Sequence, residues 1–287
     1  MTVRDRRSLT LDAPAKINLH LEVLGKRPDG YHELESLLLT ISLRDTLVFS
    51  ERTAGEEIVC DDPLAGPTSD NLVTRAVRLV REESGREDGI KIALTKRIPI
   101  GGGLGGGSSD AATTLLGLNQ WWNLGWSVER LVELGSRLGS DVPFFFYGPA
   151  AIVRGRGEVV ETTPIGCPID LVLISPSERL STKAVFEHLV PGTERVPVEP
   201  IARALAEGNI AEVARHLHNR LIESSRQLST AVADLERRAV DWPCLGHLMT
   251  GSGSTYFAVC EDQVSAKSLG RSIEELQLGT VYIVSAG

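Results

Sequence analysis

The sequence predicts an α+β protein in two units, on three observations. A strand-like alternation opens the chain, a glycine-rich corner joins a second strand to an Ala-rich helix, and an apolar strand restarts the pattern after a proline-bounded break from Pro164 to Pro168.

Residues 8 to 24 alternate with a period of two. Leu9, Leu11, Ile17, Leu19, Leu21 and Val23 take the core face, and Lys16, Asn18, His20 and Glu22 take the other. Lys16 and Asn18 therefore point the same way, about 7 Å apart along the strand. A turn follows at Arg27-Pro28-Asp29-Gly30, Tyr31 to Leu34 opens a mixed segment, and Ser42 to Glu51 reads as a strand. Asn71 to Ser84 has helical spacing, Ile90 to Leu94 alternates again, and Ser109 to Trp122 is helical, with Trp121 and Trp122 packing at its end. A capped helix runs from Ser127 to Leu138 and gives way at Gly139-Ser140-Asp141-Val142-Pro143, where proline stops continuation. Ala150–Val153 and Gly157–Glu161 suggest a hairpin, and Ile169 to Ser175 begins the second unit. Beyond it the pattern predicts a helical stretch from Pro200 to Arg238 and a closing strand pair around Leu245–Cys260 and Thr280–Ser285.

The stretch richest in chemistry is Pro99-Ile100-Gly101-Gly102-Gly103-Leu104-Gly105-Gly106-Gly107-Ser108-Ser109-Asp110. Glycines let backbone N–H groups converge on an anion, and the N-terminus of the following helix presents unpaired N–H groups and a positive dipole end to the same point. The corner reads as a phosphate cradle, with Ser108 or Ser109 capping the helix or turning to a phosphate or its metal. No lysine lies within the loop, which excludes the Walker pattern. Gly101, Gly103 and Gly106 satisfy dinucleotide spacing, but residues 119 to 123 resemble a helix end and not a strand ending in an acid. Asp110, set in the first turn, is a helix-start residue that could also hold a magnesium-bound water.

Length and composition narrow the rest. The 287 residues, 42% of them hydrophobic, suffice for one large or two modest domains. Thirty basic against 38 acidic residues give a net charge of -8 with no long Lys/Arg run, which argues against a nucleic-acid or anionic-membrane surface and leaves a small anionic substrate open. Cys60, Cys167, Cys244 and Cys260 are widely spaced, with no zinc pattern, and read as buried thiols of a reducing cytoplasm. Met1 to Arg7 is basic without an apolar signal core, and no metal ligand set is found in the sequence; His216 and His218, two apart, diverge on a helix.

Three segments in order, Ala13-Pro14-Ala15-Lys16-Ile17-Asn18-Leu19, the corner at 99–110 and Met249-Thr250-Gly251-Ser252-Gly253-Ser254, resemble the GHMP kinase superfamily. Asp29-Gly30-Tyr31-His32-Glu33 and Gly139-Ser140-Asp141-Val142-Pro143-Phe144-Phe145 strengthen the resemblance, which covers nearly the whole chain. It implies a two-lobed α+β fold, with an N-terminal ATP-binding domain over 1–164, a C-terminal α/β domain over 165–287 and the active site in the cleft between them. It further implies phosphoryl transfer from ATP with Mg²⁺ to a small-molecule alcohol, here a cytidyl diphosphate polyol. By the same resemblance Lys16 and Asp141 are the catalytic pair, Asp141 taking the hydroxyl proton or orienting the hydroxyl. Lys16 would keep Asp141 ionised, since an opposite charge within about 4–6 Å lowers a carboxylate pKa. Pro99 to Ser109 would hold the phosphates, Lys96, Asn71 and Leu72 border the adenine, Asn18 touches the polyol, and Tyr31, His32 and Phe186 hold the cytosine. Gly251 and Ser252 would form a second tight turn reaching the same site. Another GHMP kinase acting on homoserine, mevalonate or a sugar, or a non-catalytic nucleotide-binding regulator on the same fold, remains an alternative at this point.

Overall fold

A computed structural model describes residues 8–63, 71–189 and 194–287, so the expectation for Met1 to Arg7 lies outside the described residues. In chain order the strands and helices are β1 (Ser8–Lys26), β2 (His32–Glu51), β3 (Glu56–Cys60), α1 (Leu72–Ser84), β4 (Ile90–Thr95), α2 (Gly106–Trp121) and α3 (Val128–Leu138). A 3-10 turn at Pro143–Phe146 precedes β5 (Ala150–Gly155), β6 (Val159–Thr162), β7 (Ile169–Ser175), α4 (Thr182–Glu187), α5 (Glu199–Glu207) and α6 (Ile210–Arg215). The chain closes with β8 (His218–Asn219), α7 (Ile222–Leu228), α8 (Thr230–Ala239), β9 (Gly246–Met249), β10 (Tyr256–Cys260), α9 (Gln263–Glu274) and β11 (Thr280–Ala286). The expected boundary between 164 and 165 divides the chain by sequence, whereas the compact units interleave along it because β1 and β2 each run through both.

The first unit comprises residues up to Ala15, Leu43–Ile100 and Gly105–Phe146. Here β4 lies between β2, antiparallel with Thr46 opposite Thr95, and β3, parallel with Ile58 opposite Ile92. Ile90, Ile92 and Leu94 are buried in strict alternation and meet Val73, Val77 and Val80 of α1, Ala111, Ala112, Leu115 and Leu118 of α2, and Leu131 and Leu134 of α3. Asn71 caps α1 by accepting the Val73 N–H at 2.9 Å, and Ser127 caps α3. Helix α2 is buried over most of its circumference, which its small residues permit; a Cβ at Gly117 would lie 2.3 Å from the Phe49 ring. Trp121 and Trp122 are buried in this core, as expected.

The second unit comprises Lys16–Ser42, Gly101–Leu104 and Tyr147–Gly287. The first half of β2 pairs antiparallel with β5, which forms the expected hairpin with β6, and β8 pairs parallel with β1, His218 opposite His20. A separate antiparallel sheet has the order β11-β7-β10-β9. Its inner face, including Val172, Ile174, Tyr256 and Ala258, packs with Val232 and Leu235 of α8 and Ala266, Leu269 and Ile273 of α9.

The helical stretch expected over 200–238 is found as four helices, α5 to α8, with the short β8 between α6 and α7: Gly208 ends α5 in the left-handed region at φ 72, Asn209 caps α6, and Ser229 caps α8. Two expectations are corrected. The closing strands do not pair with each other, because β9 and β10 form a hairpin while β11 pairs with β7. The cysteines are unpaired, but only Cys260 is buried; the other three are half-buried. Helix α9 was not read from the sequence, although Asp262 as N-cap and buried Ala266, Leu269 and Ile273 carry its signal. No helix among the described residues is long and apolar enough to cross a membrane.

The polar face of β1 is also buried: Lys16, Asn18, His20 and Glu22 are each no more than 4% exposed. Such groups are tolerable only when paired or neutral. Burial, reinforced by His218, pulls His20 down to about 4, so its ring, which has no hydrogen-bond partner, is neutral at pH 7. Burial alone would raise Glu22, but two hydrogen bonds from Arg220, at 2.6 and 2.7 Å, and the N–H groups of Val196 and Val23 bring it down to about 2. A depressed carboxylate contributes stability that is present above its ordinary value of 4.5 and disappears as pH falls towards about 2. Glu22→Gln is expected to cost about 2 kcal/mol at pH 7. Urea melts across pH should also show a smaller loss of stability for the variant than for the wild type between pH 4.5 and about 2.

Candidate functional site

The glycine corner has a regular backbone. Gly101, Gly103 and Gly105 have φ of 76, 79 and 69°, while Gly102 and Leu104 between them are outside the positive region. Alternation of this kind turns successive N–H groups towards one concavity, an arrangement suited to anions. A side chain at Gly103 would also collide, since its Cβ would lie 2.5 Å from the Thr250 carbonyl oxygen.

Helix α2 starts earlier than the sequence suggests, which corrects the expected capping. Gly105 is its N-cap and has no side chain to offer, so the first amides from Gly106 onward are left for a ligand; Ser109 N–H is the first to bond back, to the Gly105 carbonyl at 2.9 Å. Ser108 and Ser109 lie inside the helix and cap nothing. Ser108 is half-buried, and the Ser109 hydroxyl is buried without a hydrogen-bond partner. A Cβ at Gly107 would meet Leu72 Cδ1 at 3.5 Å, which brings the Asn71–Leu72 end of α1 beside the start of α2.

Asp110 is likewise not in the first turn. Its carboxylate accepts a hydrogen bond from Lys96 Nζ at 2.7 Å, and the same ammonium is bound by Asp45. All three side chains are at most 5% exposed. Burial pushes Asp110 up to about 7, opposed by Lys96 and aided by Asp45; Lys96 is held above its ordinary value by the two carboxylates in spite of its burial. Lys96, expected at the adenine border, thus has its ammonium committed to two acids.

In the second unit, Lys16 connects several of the expected residues. Its Nζ donates to the Gly103 carbonyl and to Asn18 Oδ1, both at 2.8 Å, and its backbone N–H donates to the Leu104 carbonyl at 2.9 Å. Asn18 Oδ1 also accepts from the Thr250 hydroxyl at 3.2 Å, Asn18 Nδ2 donates to Ser36 Oγ at 2.9 Å, and Asn18 N–H donates to Thr250 Oγ1 at 3.0 Å. These bonds fix the amide's orientation. The 251–253 segment is the tight turn expected, with Gly251 and Gly253 at φ 57 and 84°; a Cβ at Gly251 would lie 3.0 Å from the Gly103 oxygen and 3.4 Å from Lys16 Nζ. Ser252 Oγ is 2.9 Å from Thr182 Oγ1.

The aromatic residues form a partly exposed group. His32 stacks on Phe186 with ring centroids 4.9 Å apart, and Tyr31, 53% exposed, has the Arg156 guanidinium 4.8 Å from its ring centre. Burial and the nearby Lys26 hold His32 below its ordinary value, so at pH 7 it is a neutral donor and acceptor. In the first unit Asp141 stands half-buried in the turn after α3, where the expected helix-to-loop junction is found. That turn lies near α2, for a Cβ at Gly139 would be 3.9 Å from Ser108 Oγ. Among the described residues no group of three or more His, Cys, Asp or Glu is arranged to hold a metal.

Sequence reasoning missed several participants. Asn219 donates to the Met249 and Gly251 carbonyls, each at 2.8 Å, and so clamps the second glycine turn; Arg179 lays its stem within 3.5 Å of where a Gly101 Cβ would be. Both are distant in sequence from what they touch, and only the run Thr250-Gly251 hinted at the clamp's target. Gly103→Ala is expected to destabilise the protein by about 1–3 kcal/mol, combining a left-handed backbone with overpacking. It should also weaken ATP binding at least tenfold, by calorimetry, because the loop must move to admit the methyl group.

The GHMP kinases N terminal domain model matches residues 71–149 and the GHMP kinases C terminal model matches residues 201–276. A 4-diphosphocytidyl-2-C-methyl-D-erythritol kinase of Pelotomaculum thermopropionicum is 41% identical over 264 residues, 91% of this chain and 92% of the relative. Among solved structures, a 4-(cytidine 5'-diphospho)-2C-methyl-D-erythritol kinase aligns with a TM-score of 0.83 and 34% identity over 97% of this chain and 99% of its own. Homoserine kinase from Cytophaga hutchinsonii, 21% identical with a TM-score of 0.77 over 100% of this chain and 96% of its own, shares the fold. The motif order, the glycine corner held by Lys16 and these similarities agree that the chain belongs to the GHMP kinases, in the family of the 4-diphosphocytidyl-2-C-methyl-D-erythritol kinases.

Proposed function

We propose that this chain is a cytoplasmic enzyme that transfers the terminal phosphoryl group of ATP to the 2-hydroxyl of 4-diphosphocytidyl-2-C-methyl-D-erythritol. The products are the 2-phosphate and ADP, and the reaction is a step of non-mevalonate isoprenoid synthesis. The observation that carries this reading is the Lys16 ammonium, which bonds at once to the Gly103 carbonyl of the phosphate corner and to Asn18 on the acceptor side. One buried cation then serves both reactants.

Phosphoryl transfer asks mainly for position and charge compensation. In this reading the amides of the 101–107 corner and of the first turn of α2 hold the β- and γ-phosphates, with Pro99 and Ile100 leading in, and Asn71 and Leu72 border the base. Lys16 stabilises charge at the reacting oxygen, and Asp141 accepts or orients the hydroxyl proton. Asn18, Gly251 and Ser252 line the polyol end, while Tyr31 and the stacked pair His32 and Phe186 offer flat faces and a neutral imidazole to the cytosine. Mg²⁺ would supply charge neutralisation to the triphosphate, and the residues placed to help hold it are Ser108 and the unpartnered Ser109 through their hydroxyls, Asp110 being spent on Lys96.

A coupled assay should register ADP release that depends on the cytidyl acceptor. Asp141→Ala is expected to lower kcat by at least about 100-fold with ATP affinity retained. Tyr31→Ala with Phe186→Ala should raise KM for the acceptor and leave KM for ATP unchanged. Turnover of homoserine or mevalonate in place of the cytidyl compound, or wild-type kcat in Asp141→Ala, would contradict the reading.

A further inference from the structure

We infer that Lys96, Asp45 and Asp110 are positioning residues for the phosphate corner: Lys96 joins the corner's start to its end and offsets the carboxylates behind it, and does not act by touching the adenine. This deepens the ATP-kinase reading and rests on it.

The geometry is specific. Asp45 Oδ1 accepts the backbone N–H groups of Arg97 at 2.5 Å and Ile98 at 2.9 Å, immediately before Pro99, and its Oδ2 takes the Lys96 ammonium. The same ammonium reaches Asp110 Oδ2, on α2 just beyond the corner. Lys96 N–H is itself held, by Asp61 Oδ1 at 2.8 Å. The two ends touch, since a Cβ at Gly106 would lie 3.0 Å from Ile98 Cγ2 and 3.3 Å from Lys96 Nζ. Residues 99–105 are thereby a closed loop with fixed ends, and fixed ends reduce the ordering that a bound triphosphate must impose.

Stability alone does not account for three ions in this interior. Buried ion pairs give little net stabilisation relative to well-packed apolar groups, whereas removing one partner leaves an uncompensated charge. The position accounts for them better. Lys96 stands between the two carboxylates behind the amides that face the phosphates and bonds both, one before the corner and one after it. Lys96 Nζ is spent on these acids and its side chain is 5% exposed, which leaves it poorly placed for an adenine ring.

The test is the affinity of the full chain for two probes, ATP and inorganic tripolyphosphate, by calorimetry at pH 8 without acceptor. Lys96→Met removes the bridge between the two ends of the corner, whereas Lys96→Arg keeps a cation able to bond both carboxylates. Lys96→Met is expected to weaken both probes about tenfold, and Lys96→Arg to bind both to within about threefold of wild type. Loss of ATP affinity with tripolyphosphate affinity unchanged would mean an adenine contact and overturn the inference. Lys96→Arg no better than Lys96→Met would overturn it too. Should Lys96→Met fail to fold, Asp110→Ala alone decides: weaker binding of both probes by a similar factor supports the inference, and binding at wild-type strength overturns it. Wild type that binds ATP yet releases no acceptor-dependent ADP counts against the acceptor and not against Lys96; wild type that binds neither probe overturns both.

Discussion

The hydrogen bond from Lys16 Nζ to the Gly103 carbonyl is the contact on which the proposed chemistry depends. A lysine on the middle of β1 would ordinarily reach water, but here the polar face of the strand is covered, and the ammonium must find oxygens within the protein. It finds one on the glycine corner and one on Asn18, which is itself held by Thr250 and Ser36. Burial and pairing together leave the ammonium few rotamers. The positional accuracy that phosphoryl transfer needs therefore arises from desolvation as much as from attraction.

The corner is constrained by a division of labour between glycine and charge. Positive φ at Gly101, Gly103 and Gly105 gives its amides a common direction, and close approach of the Thr250 carbonyl leaves no room for a side chain at Gly103. Breaking a buried ion pair by removing one partner costs about 3–5 kcal/mol, so the Lys96, Asp45 and Asp110 group is a strong local constraint at the other end of the same loop. The second glycine turn is similarly clamped by Asn219. Rigid ends around an open backbone suit a site that must accept a highly charged ligand without rearranging.

Much of this was legible because it is local. The period of two in β1 put Lys16 and Asn18 on one side, and their side chains are bonded at 2.8 Å. Asn71 and Ser127 were placed correctly at helix starts because a cap acts within three residues. The start of α2 was misplaced because two serines looked like caps, whereas the helix is entered through left-handed Gly105. Asp110, Lys96 and Asp45 showed no mutual pattern, being 14 and 51 residues apart along the chain from Lys96. Asn219 and Arg179 were invisible for the same reason. Within the helical stretch from 200 to 238 the two-residue β8 gave no signal, because its pairing with β1 is a tertiary event that no local periodicity can announce.

The central claim is that backbone amides of the 101–107 corner grip the triphosphate while Lys16 stays on the Gly103 carbonyl. A crystal structure with a non-hydrolysable ATP analogue and the cytidyl acceptor measures this directly. The account predicts phosphate oxygens about 3 Å from amides of that corner and of the first turn of α2, with the Lys16 bond retained. A triphosphate bound elsewhere, with the corner's amides turned away from it, would contradict the account.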